Sequence, residues 1–402
     1  MKHHRLIRIV CLFSVLLAGS SASFSQSTNY FTVFPQFASG GGWSSDIFID
    51  NQGTLAAIVG LSFYGDDGGP LVVDSTFGVG SSFSLTINGG NTSVIRGNSG
   101  GALKTGYAVI SFPSGASVRA SEVFRYQPNG IVTSALGVSQ QFALSCYSFP
   151  AEVDAARGVN TALAIANGSF DSTGSAAQRV VVSIIRSDGT LKGTTTVNLA
   201  AGEHVSKYLN DATLFPSLDG FIGTVCVSAA RNFGLVALRQ DQSVFATVSV
   251  DAGPILTPFM LTTAAVPEVE PNSSKLQAQR ISGPSVFSGN ISVAGDVDYF
   301  QFTANEGEIL TVVVSTVNLN SGLDPILDLL NSEEKVIAEN DENGLFFQSD
   351  SFLQVALPAA GTYYLRVTDY QSRGGANGTY RLHVQWGPPV QGTPQTQSKA
   401  HH

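Results

Sequence analysis

Three stretches in the last third of the chain decide its fold: Glu268-Val-Glu270-Pro-Asn272, Gly295-Asp-Val-Asp298-Tyr-Phe300 and Leu357-Pro-Ala-Ala-Gly361-Thr-Tyr-Tyr364. The first is an acidic extended segment, the second is an acidic turn that opens a strand, and the third is a turn that leads into a strand. Beyond the third turn, apolar and polar residues alternate up to Val367, which is the period of a half-buried strand. These features predict a small β domain at the end of the chain.

Alternation of apolar and polar residues also dominates the remainder of the chain, and no convincing amphipathic helix interrupts it. Ala57–Phe63 and Val180–Ile185 are typical strand-like segments, and turn residues such as Asp66-Asp-Gly-Gly69 separate them. Low charge with abundant β-branched residues is typical of β proteins. Short strands at this spacing predict sandwiches or barrels, so the predicted fold class is all-β.

The part of the chain upstream of these three stretches contains an internal repeat, because five strand-like segments occur twice in the same order. The first copy comprises Ile47–Asn51, Leu61–Gly68, Phe83–Ile87, Gly106–Ser111 and Ser121–Arg125. The second copy comprises Leu163–Asn167, Val182–Gly189, Thr195–Leu199, Gly223–Ser228 and Gly234–Arg239. Matching order and spacing predict two tandem, related β-sandwiches. The repeats weakly resemble those of uncharacterised exported proteins of soil bacteria, a resemblance that implies no known activity.

In this order, the three stretches quoted first resemble the bacterial pre-peptidase C-terminal domain, a small β-sandwich appended to secreted proteins and often to peptidases. The resemblance covers about residues 267–387 and implies a third, small sandwich there with an accessory role. The predicted organisation is a signal peptide at 1–25, sandwiches at 26–140 and 141–260, a linker at 261–270, the third sandwich at 271–387 and a disordered tail at 388–402.

The amino-terminal residues are typical of a secretory signal. Lys2 to Arg8 give a basic start, Ile9–Ala18 form an apolar run, and Ser21–Ser23 supply small residues for cleavage. The apolar run has about 10 residues, and no later stretch approaches the roughly 20 that a membrane-spanning helix needs. The sequence therefore predicts an exported protein without a membrane span, either secreted or held at the cell surface.

Two cysteines remain after removal of the predicted signal, Cys146 and Cys226. In an oxidising compartment they could form a disulfide. Such a bond would stabilise the fold by up to roughly 4 kcal/mol in the chain-entropy model. Equally, both can be buried thiols on neighbouring strands, and the sequence leaves the two alternatives open.

The charge of the chain limits its partners. Thirty acidic residues outnumber 21 lysines and arginines, which gives a formal net charge of −9. This balance argues against nucleic acid or an anionic membrane surface as a partner. The predicted partner of the exported protein is an extracellular polymer, either a polysaccharide or a protein.

The loop Gly97-Asn-Ser99-Gly-Gly101 resembles the nucleophile loop of trypsin-like serine peptidases, with Asn98 in place of the usual aspartate. That chemistry requires a histidine to accept the serine proton. In that family the histidine precedes the serine, and the only histidines upstream of this loop lie in the signal. His204 and His383 belong to other predicted domains. A glycine-rich connection is the better interpretation, and no zinc-ligand spacing or phosphate loop occurs elsewhere, so no catalytic residue is predicted.

Acidic and amide side chains in the first two stretches are candidate metal ligands. Glu268, Glu270 and Asn272 alternate on an extended segment and can face one way, while Asp296 and Asp298 alternate at a strand start. Calcium takes six to eight oxygen ligands, mainly carboxylates and carbonyls. In secreted collagenases, related domains bind calcium through a similar acidic segment and a longer acidic turn. The resemblance therefore implies these five residues as calcium ligands, and the alternative is a solvated acidic rim.

Two aromatic residues are candidate ligand-binding positions. Tyr364 is expected to point outward from the strand on which Tyr363 and Leu365 face the core. Trp43 follows the glycines at positions 40–42 and is expected on a loop, where its ring could stack on a sugar. Packing is the alternative for each ring.

Together these features predict a secreted, non-catalytic binding or adhesion protein that contacts an extracellular polymer and whose third domain is stabilised by calcium. Two alternatives remain. One is an extracellular hydrolase, a glycosidase or a peptidase, with a carboxylate site assembled in the repeat domains. The other is a structural surface protein that binds no small ligand.

Overall fold

The computed structural model describes residues 29–168, 175–252, 264–316, 319–341 and 350–389. The predicted signal peptide, most of the predicted tail and the first residues of the predicted linker lie outside these ranges. Within them the chain forms 28 β-strands and two short 3-10 turns, at Pro128–Gly130 and Lys275–Gln277, and no α-helix. The predicted all-β fold class is confirmed. In the same ranges, no helix is long and apolar enough to cross a membrane.

The strands are numbered along the chain. The first ten are β1 (Asn29–Ser39), β2 (Trp43–Asn51), β3 (Ala57–Gly65), β4 (Val73–Ser75), β5 (Gly78–Gly80), β6 (Ser82–Ile87), β7 (Thr92–Arg96), β8 (Lys104–Pro113), β9 (Val118–Tyr126) and β10 (Ser134–Ser139). The next eight are β11 (Leu144–Val153), β12 (Val159–Ala166), β13 (Gln178–Arg186), β14 (Leu191–Leu199), β15 (His204–Tyr208), β16 (Phe221–Asp241), β17 (Val244–Val248) and β18 (Asp251–Ala252). The last ten are β19 (Val266–Pro267), β20 (Gln279–Arg280), β21 (Ser285–Asn290), β22 (Asp298–Ala304), β23 (Ile309–Ser315), β24 (Pro325–Leu330), β25 (Val336–Asn340), β26 (Ser351–Ala356), β27 (Gly361–Asp369) and β28 (Thr379–Gly387).

The first unit, residues 29–139, is a sandwich of two four-stranded antiparallel sheets with strand orders β1-β8-β3-β6 and β10-β9-β2-β7, and β4 and β5 form a separate hairpin. Its strands alternate as the sequence predicts. In β3, Val59, Leu61 and Phe63 are buried, while the residues between them are only partly buried. Burying one such side chain between the sheets contributes about 1.5–3 kcal/mol, which makes this apolar layer the main source of stability.

The second unit, residues 144–252, forms a continuous eight-stranded sheet through one long strand, β16, of 21 residues. The first half of β16 pairs with β11 and β13, and its second half pairs with β12 and β17. The resulting orders are β14-β13-β16-β11 and β15-β12-β16-β17. They correspond strand by strand to the two sheets of the first unit, with the two halves of β16 in the places of β8 and β9.

The first and second units share a packed interface. Ala164 of the second unit is buried in the same apolar cluster as the core of the first. The Nδ1 atom of His204 lies 2.8 Å from Oδ1 of Asp66, and the His204 backbone N–H donates to the Asp66 carbonyl at 3.0 Å. Beside this contact Gly68 has φ +79°, and a Cβ there would lie 2.7 Å from the carbonyl of Gly202. Apolar packing, a polar contact and a close approach of two glycines therefore hold the two units together.

The third unit, residues 266–387, is a sandwich of two five-stranded sheets with orders β19-β21-β28-β23-β26 and β20-β22-β27-β24-β25. Its strands pair antiparallel, except that the short strands β19 and β20 run parallel to β21 and β22. On β27, Tyr363, Leu365 and Val367 are buried in the core, as the alternation predicts. The predicted small β-sandwich at the end of the chain is confirmed.

The second and third units also touch each other. The guanidinium of Arg179 lies 2.8 Å from the Glu306 carboxylate, and the hydroxyl of Ser228 donates to Oε1 of Gln354 at 2.9 Å. Next to these polar contacts, Cys146 packs against a small apolar cluster of the third unit that contains Phe352. The third unit is therefore fixed to its neighbour by specific side-chain contacts.

The two cysteines lie on the neighbouring strands β11 and β16. Cys146 is directly opposite Ser228, while Cys226 is directly opposite Ser148, so the cysteines are diagonal neighbours. Diagonal positions in an antiparallel pair are about 7–8 Å apart between Cα atoms, which exceeds the span of an unstrained disulfide. Both residues are thiols in the structure rather than a disulfide. Burial raises the pKa of the Cys146 thiol well above its usual value.

Candidate metal centre

The candidate ligands lie at one end of the third unit, where the chain enters the sandwich. Glu268 directly follows β19, and its backbone N–H donates to the carbonyl of Ser288 on β21 at 3.0 Å. Asp298 is the first residue of β22 and pairs with Val367 of β27. The acidic leading segment, residues 268–272, therefore runs past the start of β22, which brings two stretches that are distant in sequence to one place.

Three carboxylates meet at this end of the sandwich. Glu268, Glu270 and Asp298 each present a carboxylate oxygen, and these oxygens lie within 4.8 Å of one another. Asp298 is fully buried, Glu268 is partly buried, and Glu270 is exposed. The cluster thus extends from the protein interior to the solvent, and the three like charges repel one another unless a proton or a cation is bound.

Asn272 adds an amide to this carboxylate cluster. Its side chain is fully buried, and its Nδ2 lies 3.5 Å from Oε2 of Glu268. Two acceptor atoms here, Oδ1 of Asn272 and Oδ1 of Asp298, are buried and have no hydrogen-bond partner among the described residues. Leaving a buried acceptor unsatisfied costs about 1–3 kcal/mol. Both atoms are of the kind that a hard cation binds.

Tyr380 on β28 is a neighbour of the cluster that the sequence analysis did not single out. Its hydroxyl lies 2.6 Å from Oδ2 of Asp298 and 2.9 Å from Oε2 of Glu268. The hydroxyl carries one proton and can donate it to only one of these two oxygens at a time. On the other side, the backbone N–H of Asn290 donates to Oε1 of Glu268 at 2.6 Å. These contacts fix the orientation of both carboxylates.

Burial dominates the acid–base properties of the cluster. Despite the hydrogen bond from Tyr380, burial together with the nearby charge of Glu268 raises the pKa of Asp298 to about 8. Burial also raises the pKa of Glu268, and the hydrogen bond from Asn290 only partly opposes this. A divalent cation favours ionised carboxylates and would reverse both shifts.

Asp296 is the predicted ligand that the structure uses differently. Its Oδ2 accepts hydrogen bonds from the backbone N–H of Ser292 at 2.7 Å and from the Ser292 hydroxyl at 2.8 Å. Its Oδ1 accepts from the backbone N–H of Val297 at 3.0 Å. The side chain therefore holds the turn before β22, and its charge adds to the repulsion that raises the pKa of Asp298.

The arrangement suits a hard cation chemically. Four of the five predicted residues, Glu268, Glu270, Asn272 and Asp298, lie together and offer carboxylate or amide oxygens. Oxygen-only donor sets favour calcium or magnesium over the transition metals, which prefer nitrogen and sulfur. Calcium accepts irregular geometry and carboxylates of mixed denticity, whereas magnesium requires a near-ideal octahedron. The mixed, partly exposed donor set is therefore better matched to calcium.

Tyr364 lies on the predicted face of β27, opposite to the core residues, but only 7% of the residue is exposed. The side chain of Lys275, from the second 3-10 turn, covers it, with Nζ 5.4 Å from the ring centre. The structure therefore uses this ring in packing and a cation–π contact.

Trp43 also differs from its predicted setting. It is the first residue of β2 rather than a loop residue, and it is half-buried. Its ring centre lies 4.7 Å from that of Tyr126 and 5.3 Å from that of Phe245, which belongs to the second unit. The indole therefore packs where the first two units meet.

The glycine-rich loop that resembles a nucleophile loop connects β7 to β8. Its backbone pairs with the three glycines before β2: the N–H groups of Gly40, Gly41 and Gly42 donate to carbonyls of residues 98, 101 and 99 at 3.1, 2.9 and 3.2 Å. His204 is buried and engaged with Asp66 in the interface of the first two units. The loop therefore serves as a connection whose glycines allow two backbone segments to pack closely.

Comparisons with known proteins point to the third unit. Residues 296–369 match the bacterial pre-peptidase C-terminal domain family. Among solved structures, the chain is similar to the pre-peptidase C-terminal domain of a collagenase from Bacillus anthracis, with 21% identity and a TM-score of 0.23 over 27% of this chain and 94% of that one. It is also similar to PliG of Aeromonas hydrophila, a periplasmic inhibitor of g-type lysozyme, with 18% identity and a TM-score of 0.23 over 27% of this chain and 96% of that one.

Among curated proteins, the chain is similar to a probable subtilase-type serine protease of Deinococcus radiodurans, with 29% identity over 154 residues. The match covers 37% of this chain and 19% of the Deinococcus protein, so it spans about a fifth of that relative's length. The family match begins at Asp296, in the acidic turn, and ends at Asp369, at the end of β27. The third unit of this chain therefore carries a bacterial pre-peptidase C-terminal domain.

Proposed function

We propose that the protein is a secreted, non-catalytic binding or adhesion protein whose third unit is stabilised by calcium. Its ligand is an extracellular polymer, either a polysaccharide or a protein. The carboxylate cluster with its two unsatisfied buried acceptors is the observation that carries the calcium part of this proposal. The pre-peptidase C-terminal domain and the similarity to a subtilase-type protease support the extracellular part.

Calcium explains the cluster better than a solvated acidic rim does. Glu268, Glu270, Asn272 and Asp298 would hold the ion, and Asp296 would shape the turn beside it. The ion would satisfy the two buried acceptors and remove the charge repulsion. A site with a Kd near 10⁻⁴ M would stabilise the third unit by about 1–2 kcal/mol at extracellular calcium concentrations.

The first and second units make up the rest of the proposed binding protein. Their corresponding strand orders support the tandem repeat that the sequence predicts. Because the two units share a packed apolar cluster, they present their loops in a fixed relative orientation. A rigid pair of sandwiches with a calcium-stabilised accessory domain suits a protein that attaches to a polymer rather than one that transforms it.

Co-sedimentation tests this proposal. The chain without its predicted signal is mixed with insoluble chitin, cellulose, peptidoglycan or collagen, in calcium and then in EDTA. The same series uses Asp298→Asn, which weakens the cluster, and Glu333→Gln, which removes an exposed carboxylate of the third unit outside the cluster.

We expect retention on one polymer in calcium, with loss in EDTA and in Asp298→Asn but not in Glu333→Gln. Absence of retention on every polymer would contradict the binding proposal. Release of soluble fragments from a polymer would instead favour the extracellular hydrolase. Equal retention of the parent in calcium and in EDTA, and of Asp298→Asn in calcium, would show that polymer binding does not depend on the calcium site. This result would overturn the proposed link between calcium and polymer binding.

A further inference from the structure

A groove lies where the second and third units meet. It consists of two open depressions of about 690 and 680 Å³, which adjoin at Arg179 and Asn198. Strands β13 and β14 form the wall on the side of the second unit, and the turn at residues 305–308, together with Pro358 and Pro388, forms the wall on the side of the third. Sites that bury a ligand have volumes of about 300–1,000 Å³, so the two depressions together can hold an elongated ligand.

Arg179 fixes the two walls relative to each other and still has free donors. One terminal nitrogen donates to the carbonyl of Leu357 at 3.3 Å, and the other lies 2.8 Å from a carboxylate oxygen of Glu306. A guanidinium has five N–H groups in a fixed plane, so these two contacts leave three. Because the side chain is only partly buried, the remaining N–H groups can donate to a ligand in the groove.

Strand β14, at the edge of its sheet, adds further polar groups. Asn198 is directly opposite Arg179, and Thr196 lies two residues before Asn198 on the same face. Neither of these two β14 side chains makes a hydrogen bond within the described ranges. Arg231 lines the second depression and is exposed to solvent. The groove therefore offers free amide, hydroxyl and guanidinium groups, which between them donate and accept hydrogen bonds.

The charges that line the groove nearly cancel. Arg179 and Arg231 carry positive charge, and Glu203, Glu306 and Glu308 carry negative charge. One of these glutamates, Glu306, is already paired with Arg179. A strongly charged polymer of either sign gains little attraction from such a balance, so the groove favours a neutral ligand.

A neutral sugar chain matches this mixture of groups. Each sugar residue carries several hydroxyl groups, and a hydroxyl that leaves water needs a hydrogen-bond partner. The free polar groups provide such partners, while the exposed rings of Pro358 and Pro388 provide apolar surface for the C–H groups of a sugar. Protein partners bind mainly through aromatic and arginine side chains in desolvated pockets, whereas no aromatic ring of the described residues lines this open groove.

We propose that this groove is the polymer-binding site and that its ligand is a neutral, hydroxyl-rich polysaccharide. The inference rests on the proposed function, because it names the class of the polymer and the place where the polymer binds. The polysaccharide would lie along β14, with its hydroxyl groups hydrogen-bonded to Thr196, Asn198 and Arg231. The second and third units would then contact the same polymer.

Strand β22 connects the groove to the carboxylate cluster. It begins at Asp298 in the cluster and ends at Ala304, directly before Asn305 of the groove. A strand of 7 residues spans roughly 20 Å, so a calcium ion in the cluster would not touch the polysaccharide. Calcium would act by stabilising the third unit, which carries one wall of the groove. Variants of the groove should therefore lose polymer binding and keep calcium binding.

Binding isotherms on insoluble chitin, cellulose and collagen test the groove, with the chain lacking its predicted signal and in the presence of calcium. The first groove variant combines Asn198→Ala with Arg231→Ala, which removes two of the free polar side chains. The matched control combines Asn91→Ala with Arg119→Ala, at exposed positions of the first unit.

A second groove variant acts by size instead of by hydrogen bonding. Ala177→Trp places a large ring in the second depression, of which Ala177 is an exposed wall residue. Ala246→Trp adds the same ring at an exposed position of β17 and is the matched control. The two groove variants are independent of each other, so the test stands if one of them fails to fold.

We expect the parent to bind chitin or cellulose and not collagen. Both groove variants should bind at least tenfold more weakly than the parent, because each lost hydrogen bond lowers the affinity by roughly three- to tenfold and a filled depression excludes the ligand. Both controls should bind as the parent does. Calcium titration should give the same Kd for the parent and for the groove variants, which shows that the third unit remains folded.

Three results would overturn the proposal. Binding to collagen alone would contradict the polysaccharide class but leave the proposed function standing. Binding of both groove variants to chitin or cellulose with the affinity of the parent would place the polymer site elsewhere on the protein. Binding of the parent to none of the three polymers would count against the proposed function as well, which distinguishes that failure from a failure of the groove alone.

Discussion

Glu122 lowers the stability of the first unit as the pH rises, and this effect can be measured. The residue lies on β9 with 0% of its surface exposed, on the face of the strand that carries Val118 and Phe124 into the core. Neither carboxyl oxygen accepts a hydrogen bond of good geometry within the described part of the chain, and the nearby Ser45 hydroxyl donates to the Ala38 carbonyl. Burial raises the pKa of this carboxyl well above its ordinary value, and the proximity of Ser45 only partly opposes this. We expect Glu122→Gln, which keeps the size but cannot ionise, to be more stable than the parent at neutral pH.

The magnitude follows from proton linkage. In the unfolded chain Glu122 ionises with a pKa of about 4.3, whereas the folded chain keeps the proton to higher pH. Between these two pKa values, folding takes up a proton at Glu122. The contribution of this protonation to the free energy of unfolding is therefore complete below about pH 4.3 and is lost as the pH rises towards the pKa of the folded state. The loss is at most about 1.36 kcal/mol per pH unit. Between pH 5 and pH 7, it amounts to up to about 2.6 kcal/mol.

Urea unfolding at pH 5, 6 and 7 provides the assay. Trp43 lies in the first unit, and in a Trp386→Phe background its emission reports the unfolding of that unit. The free energy of unfolding of the parent should fall relative to that of Glu122→Gln as the pH rises. Glu333→Gln, at an exposed position, should keep the slope of the parent. Parallel pH profiles for the parent and Glu122→Gln would refute the reasoning.

Three further predictions concern the interface, the cluster and the cysteines. Gly68→Ala should destabilise the chain by about 2–4 kcal/mol in urea unfolding, because its φ is positive and the added Cβ would lie 2.7 Å from a carbonyl of the second unit. The control is Gly78→Ala, which also has a positive φ, +101°, but whose added Cβ would meet no neighbouring group within 4 Å. It should cost only about 1 kcal/mol. Tyr380→Phe should lower the thermal stability of the third unit in EDTA by about 1–3 kcal/mol, because Asp298 and Glu268 lose the one hydroxyl donor that they share, and an unchanged transition would contradict that role. Cys146 and Cys226 should both be alkylated in denaturant without a reductant, and a mass spectrum without two labels would show that they are disulfide-bonded.

Local sequence patterns predict much of this fold because they report on local burial. The alternation around Tyr363 and Leu365 places these residues in the core, and the structure agrees. Turn residues mark most strand ends, and the repeated order of segments corresponds to the repeated strand order of the first two units. What the sequence does not show is that β16 continues through the position where the first unit has a separate β8 and β9. That continuity depends on pairing with strands from both sheets.

The site is predicted less completely, because its geometry depends on contacts between distant segments. Glu268 and Asp298 meet as their acidic stretches suggest, whereas the oxygens of Asp296 are taken by Ser292 within the turn. Tyr380 is buried on β28, and the partners of its hydroxyl, Asp298 and Glu268, come from segments distant in sequence, so no local pattern indicates this contact. Tyr364 was assigned the correct face of its strand, but a strand pattern cannot reveal that a neighbouring turn covers that face.

Calcium titration of the full chain without its predicted signal tests the central claim most directly. Isothermal titration calorimetry should show calcium binding to the parent and to Glu333→Gln with a Kd near 10⁻⁴ M. Asp298→Asn and Glu268→Gln should bind at least tenfold more weakly, because each removes a charged oxygen from the cluster. Absence of calcium binding by the parent at millimolar concentrations, or equal binding by the parent and Asp298→Asn, would contradict the account.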